Sequence, residues 1–355
     1  MLLLALFWMN LHAQSNRVAE LVIENQKVIW GFDFLNEEEV LFTERSGKMF
    51  VTNVNSKKTT AIANVPAVDA GGQGGLLDVK VHPQFAKNKL IYFTYVHSEN
   101  GKSGTRLSRA KLENFSLTNI EALFTALPLS DSKLHFGSRI AFDGAGHVFI
   151  GLGERFYERN KAQDLGTHHG KVIRLKEDGS IPSDNPFVGD STKKPEVWSY
   201  GHRNPQGLFF DKDTKRLWLS EHGPMGGDEV NWIQKGKNYG WPLVSYGREY
   251  NGSVISEETR RVGVEDAVHV YVPSIAPSTL HIYKGSAYPE WNNHFFQGAL
   301  VLQHLNVIEI KDNKLVPGSE ERLFQNKYGR IRHVAQSPSG KLYFSTDSGA
   351  IYRIK

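Results

Sequence analysis

Residues 30–47 read WGFDFLNEEEVLFTERSG. Two apolar runs, WGFDF and VLFTE, flank an Asn- and Glu-rich turn, the pattern of two antiparallel strands joined by a tight connection. The same plan returns as VKVHPQFAKNKLIYFTYV from Val79, IAFDGAGHVFIGLGE from Ile140, LFFDKDTKRLWLSEHG from Leu208 and VAQSPSGKLYFSTDSG from Val334. A looser copy, FFQGALVLQHLNVIEI from Phe295, fills the interval before the last. Six copies spread over residues 14–355 give roughly 57 residues per unit, against ~40–45 for a minimal propeller blade. The excess leaves room for long loops on one face. Helical periodicity is scarce, and ambiguous around Ala110–Leu127. The expectation is an all-β fold, a six-bladed β-propeller of four-stranded antiparallel blades, which leaves only short, protected sheet edges. Two β-sandwiches in tandem are the alternative, but no Pro/Ser-rich linker divides the chain.

Composition narrows the function. The chain has 355 residues, 40% hydrophobic and 23% charged, with a formal net charge of only +4 and both signs interspersed. No block of Lys or Arg is long enough to track a nucleic acid. Cysteine is absent, which removes disulfides, thiolate catalysis and cysteine-ligated metals. The opening MLLLALFWMNLHAQSN reads as a secretory signal over residues 1–13, with cleavage near Ala13 and a mature domain over 14–355, though no positive charge precedes the apolar run. The expected location is periplasmic or secreted. No later segment approaches a membrane-spanning length, so no stable membrane insertion is expected.

Several site types are missing from the sequence: HExxH, GxSxG, and a GxGxxG that opens a helix. Four segments are dense in unusual residues. In AGGQGGLLDVKVHP (70–83), glycines around Gln73 let the backbone approach a flat ligand while one amide offers hydrogen bonds; a plain turn would also need them. In LHFGSRIAFD (134–143), His135 is a candidate general base that Glu154 could orient, or else a structural histidine. In YGHRNPQGLFFD (200–211), Arg203 beside Asn204 suits a carboxylate or a developing oxyanion, or simply a turn network. In SEHGPMGGDEVNWIQKGKNYGWP (220–242), Gly223-Pro224 carbonyls and the Asp228-Glu229 carboxylates are oxygen ligands of the kind calcium takes. Polar residues also close the second strand of several copies: Glu44-Arg45, Glu154-Arg155, Glu221-His222 and Asp347. If these ends meet at one mouth, they assemble a site from several blades.

Together and in this order, the four segments resemble the soluble PQQ-dependent aldose/glucose dehydrogenase family (PQQ, pyrroloquinoline quinone). SYGHRNPQGL, SEHGPMGGDEVN, NYGWP and the late RIRHV carry the likeness most specifically, supported by HHGKVIRLKEDGSIPSDNPF, PSIAPSTLHIY and GALVLQHL. It runs from about Val28 to the C-terminus. The resemblance implies a six-bladed propeller that binds PQQ and calcium at its mouth. It implies oxidation of an aldose at the anomeric carbon to the lactone, with electrons passing to an external acceptor. His135 would be the base, and Arg203 would stabilise charge on the quinone oxygens. Gln73, Asn204, Tyr250, Arg330 and Arg332 would contact the cofactor. Gly223 and Pro224 would offer carbonyls to the catalytic calcium, and Glu229 and Tyr239 would hold a second. Where the family carries a lysine after GAL, this chain has VLQHL, which puts Gln303 and His304 in that place. Such a protein would be a monomer or homodimer. Two other functions fit a propeller of this kind: a calcium-dependent lactonase, and a binding module without catalysis.

Overall fold

The computed structural model describes residues 17–24, 27–312 and 314–355; the segment read as a secretory signal lies outside them. The described chain forms six four-stranded antiparallel sheets. The first blade is built from Ile29–Phe34, Glu39–Glu44, Lys48–Asn53 and Thr59–Ala61, paired in that order. The second runs from Leu76 to Thr125, the third from Ile140 to Tyr200, the fourth from Pro205 to Tyr271, and the fifth from His281 to Leu323. The sixth takes three strands from Ile331 to Ile354 and its fourth from the N-terminal end of the described chain, Ala19–Glu24. Ala19 lies opposite Ile354 and Glu24 opposite Ala350, so the ring is closed by main-chain pairing between the two ends.

Both faces of each blade are covered by its neighbours, which is why inner strands such as LIYFTYV read as near-continuous apolar runs rather than alternating ones. Ile91 through Val96 are all buried. Leu41, Met49 and Val51 of the first blade pack on Val79, Ile91 and Phe93 of the second, and each such side chain contributes about 1.5–3 kcal/mol on burial.

Two stretches depart from the sequence expectation. The copy beginning at Phe295 is the second and third strands of its blade, not the first and second. The innermost strand there is only His281–Ile282, too short to leave a pattern. The ambiguous stretch from Ala110 is a long hairpin of Lys102–Glu113 and Ser116–Thr125, whose register shifts twice and so breaks the alternation. Its turn residues Asn114 and Phe115 both have positive φ, as a tight primed turn requires.

Arg139 lies on the propeller axis, just before the third blade's first strand, and is 2% exposed. Its guanidinium reaches all five other blades or their leading segments. Nε donates to the Gln206 carbonyl at 2.9 Å, and Nη1 to Asp78 Oδ1 at 3.0 Å and the Trp30 carbonyl at 3.4 Å. Nη2 donates to the Ser278 carbonyl at 2.6 Å and the Arg332 carbonyl at 3.0 Å. Every N–H of the fork therefore has an acceptor. Burial lowers its pKa to about 10, which still leaves it charged at neutral pH. This one side chain separates the two ends of the axis.

Candidate active site at the propeller mouth

The innermost strands begin at one end of the axis, and the segments that lead into them line a cavity of about 360 Å3. Trp30 and Phe136, packed with Leu77 and Val96, give it an aromatic wall. Gln73, Asn204, His222, Tyr250 and three arginines, Arg45, Arg330 and Arg332, supply polar groups. The predicted convergence of second-strand ends is observed here for Arg45, His222 and Asp347. Arg332 grips Asp347 with Nε at 2.7 Å and Nη2 at 2.8 Å, while Arg330 Nε donates to the same carboxylate at 2.8 Å. Burial works against ionisation of Asp347, but the two guanidiniums hold its pKa low. One carboxylate against three guanidiniums leaves the mouth positive.

His135 sits beside this cavity with 5% exposure. Its Nδ1 is 2.8 Å from Glu154 Oε2, and its ring edge meets Phe156 at 5.1 Å between centroids. Its main-chain N–H donates to Gln73 Oε1 at 2.9 Å. The Glu154 carboxylate also accepts from the Phe156 N–H at 2.6 Å, and the Glu154 N–H donates to the Arg203 carbonyl at 2.9 Å. One glutamate therefore ties the histidine to the arginine loop. With Nδ1–H directed at Glu154, Nε2 is left as the proton acceptor. Burial lowers the pKa of His135; Glu154 opposes this, while Arg203 and Arg155 add to it. Gly153 is required by this packing, since a Cβ there would lie 2.2 Å from the His135 carbonyl oxygen.

Arg203 is 4% exposed, and its Nη1 donates to the His222 and Gly223 carbonyls, each at 3.0 Å. Its main-chain N–H donates to Glu221 Oε2 at 2.6 Å. Asn204 Oδ1 accepts from the Gly137 N–H at 3.3 Å and from Gln206 Nε2 at 3.2 Å. His222 lines the cavity, yet no site role could be given to it from sequence. Its Nε2 is 2.9 Å from the Pro277 carbonyl, and burial with the nearby Arg203 charge drops its pKa to about 3. It is a neutral wall group.

The metal segment divides into two parts. Asp228 ties its loop to the 274–276 segment, accepting from the Gly223, Ile275 and Ala276 N–H groups and from Ser274 Oγ. Pro224 is buried against Gly247. A cation at the Gly223 and Pro224 carbonyls would share the Gly223 oxygen with Arg203, which its two lone pairs permit. Deeper, Glu221, Glu229 and Tyr239 line a small cavity of about 20 Å3. Asn231 Nδ2 bridges Glu221 Oε1 at 3.3 Å and Glu229 Oε2 at 3.0 Å. Burial, then repulsion from Glu221, raises the pKa of Glu229. Two crowded carboxylates around a hole of atomic size are a donor set that fits a hard cation. The Tyr239 hydroxyl donates to the Trp232 carbonyl at 2.6 Å and accepts from the Gln234 N–H at 2.8 Å, so what it can offer is its main-chain carbonyl. Among the described residues, no group of three or more His, Asp or Glu is arranged to hold a metal by side chains alone.

The structure does not bring Gln303 and His304 to the cavity. That stretch contributes Leu300 and Val301 instead. Gln303 occupies a turn with φ of 50°. His304 is fully buried in the blade, its Nδ1 3.2 Å from the Leu302 carbonyl.

This fold and site define a class: propellers with an arginine-rimmed, aromatic-walled cavity at one end of the axis and a histidine–glutamate pair beside it. Residues 26–353 match the family described as glucose/sorbosone dehydrogenase, and the chain belongs to that family. It is 38% identical to aldose sugar dehydrogenase YliI of Escherichia coli, over 92% of this chain and 89% of that protein. It is 28% identical to quinoprotein glucose dehydrogenase B of Acinetobacter calcoaceticus, over 90% of this chain and 82% of that one. The solved PQQ-bound form of aldose sugar dehydrogenase from Streptomyces coelicolor superposes with a TM-score of 0.79 at 25% identity, covering 96% of this chain and 98% of that one.

Proposed function

We propose that this protein oxidises aldoses at the anomeric carbon to the lactone, using PQQ held at the propeller mouth, and passes the electrons to an external acceptor. The observation that carries the reading is the His135–Glu154 pair set beside an arginine-rimmed aromatic cavity. The charge and lining of this cavity suit a planar tricarboxylate: Arg45, Arg330 and Arg332 would offset the burial of its carboxylates, and Trp30 and Phe136 would supply apolar surface for its ring. When bound, PQQ supplies the two-electron acceptor that no side chain of this chain can provide.

The protein's own part is proton transfer and positioning. His135 Nε2 takes the hydroxyl proton from the sugar's anomeric carbon. Glu154 fixes the tautomer and stabilises the imidazolium that forms. Arg203 offers positive charge close by, and Gln73 and Asn204 orient the ligand. Calcium is the second group proposed, with Glu221 and Glu229 as its best-fitting carboxylates and the Gly223–Pro224 carbonyls as a further candidate position.

The test is reconstitution. Purified protein loaded with PQQ and calcium should reduce an artificial electron acceptor when given hexoses, pentoses or disaccharides. Tight PQQ binding with no sugar-dependent reduction across those substrates would sink the catalytic reading and leave a binding module.

A further inference from the structure

Beyond the strand His147–Leu152, the consecutive residues Glu154, Arg155 and Phe156 all turn toward one short segment, residues 132–136. Glu154 Oε2 lies 2.8 Å from His135 Nδ1, and the Phe156 ring meets the imidazole edge-on at 5.1 Å between centroids. Arg155, between them, grips the segment on both sides of His135. Its guanidinium lies over the Phe136 ring, 3.5 Å from the centroid. Its Nη2 donates to the Ser132 carbonyl and, at 3.3 Å, to Ser103 Oγ. In an extended strand, neighbouring side chains point to opposite faces. Here Arg155 and Phe156 have φ of 71° and 61°, which breaks that alternation and brings all three side chains to the same segment. Such backbone is costly for bulky residues and persists where the surroundings over-determine it.

For stability alone, Arg155 is a poor choice. It is 3% exposed, and its Nε and Nη1 have no hydrogen-bond partner among the described residues. Burial lowers its pKa to about 10, against the pull of Glu158, Glu154 and Asp69, so it stays charged at neutral pH. An apolar side chain of similar volume would bring neither a buried charge nor unpaired donors. We propose that Arg155 is a positioning residue for His135: stacked on Phe136 and bound to Ser132, it fixes the intervening segment so that the imidazole stays on Glu154. Its effect on turnover rests on the dehydrogenase reading; the geometry that it fixes does not.

Two variants test it. Arg155→Met keeps the stem without the charge or the donors. Arg155→Lys keeps the charge, but an ammonium cannot lie flat on the ring while reaching Ser132 and Ser103 as a planar fork does. The first readout needs no cofactor. In proton NMR of the purified protein, the His135 Nδ1–H held by Glu154 should give a downfield resonance that is missing from His135→Asn. It should be broadened away in both variants while each still unfolds cooperatively; if Arg155→Met does not fold, Arg155→Lys decides alone. The second readout uses protein loaded with PQQ and calcium, where kcat should fall about tenfold or more with KM for the sugar changed less than about threefold. Absence of the resonance from the wild type, or its survival in either folded variant, overturns the proposal. So does wild-type kcat in Arg155→Lys, or a loss carried by KM alone. Should the loaded wild type turn over no sugar, the dehydrogenase reading fails, and the resonance still decides what Arg155 does.

Discussion

His135 works in a setting fixed by a few neighbours. Burial and the charges of Arg203 and Arg155 keep it neutral to lower pH than a free imidazole, and Glu154 pulls the other way. A base must be unprotonated to accept a proton, so the acid limb of turnover should fall below the ordinary histidine value of 6.5. Glu154→Gln removes the negative charge, which is the larger of the two ways Glu154 raises the pKa. Its acid limb should therefore move to still lower pH while turnover drops, because the imidazolium loses its partner; a limb that moved upward would refute this electrostatic reading. His135→Asn should lower kcat by roughly 10²–10⁴ with PQQ affinity little changed, checked by rate measurement and cofactor titration. His135, Gln73 and Asn204 were visible in the sequence because they stand in glycine- or proline-rich segments just ahead of apolar strand patterns. Arg139 was not. An isolated arginine before a strand carries no signal of its five acceptors, which come from residues as distant as 332.

At the scale of elements, Ala19–Glu24 is the strand that completes the sixth blade, burying Val22 and Ile23. Removing residues 17–24 should lower the thermal midpoint by roughly 10 °C, from the loss of two buried side chains. It should also expose the Ala350–Ile354 edge, so light scattering should report association. An unchanged midpoint would mean the ring is held by packing alone. The strand pattern that announced five blades failed in the fifth because His281–Ile282 is too brief to show a period. The same irregularity accounts for Gln303 and His304. Alignment by the GAL motif put them at the cofactor, but the chain turns at Gln303 and points His304 into the blade interior. Likewise, the carboxylate run Asp228-Glu229 looked like one metal site, while strand alternation sends Asp228 to the Gly223 and 274–276 segments and Glu229 toward Glu221.

For the whole molecule, the decisive side chain is the one at the centre. Arg139→Met keeps much of the volume but strands Asp78 and four carbonyls without their donor. It should destabilise the protein by about 3–5 kcal/mol, read from the denaturant midpoint. Arg139→Lys should recover only part of this, because an ammonium has three donors for five acceptors; full recovery would show that charge alone matters. The closure of the ring has a consequence in time. The strand from Ala19 to Glu24 is made more than three hundred residues before Ala350–Ile354, the partner it pairs with. Until Ala350–Ile354 has been made, the growing chain is an open arc with an unpaired edge, and only then can the circle be sealed.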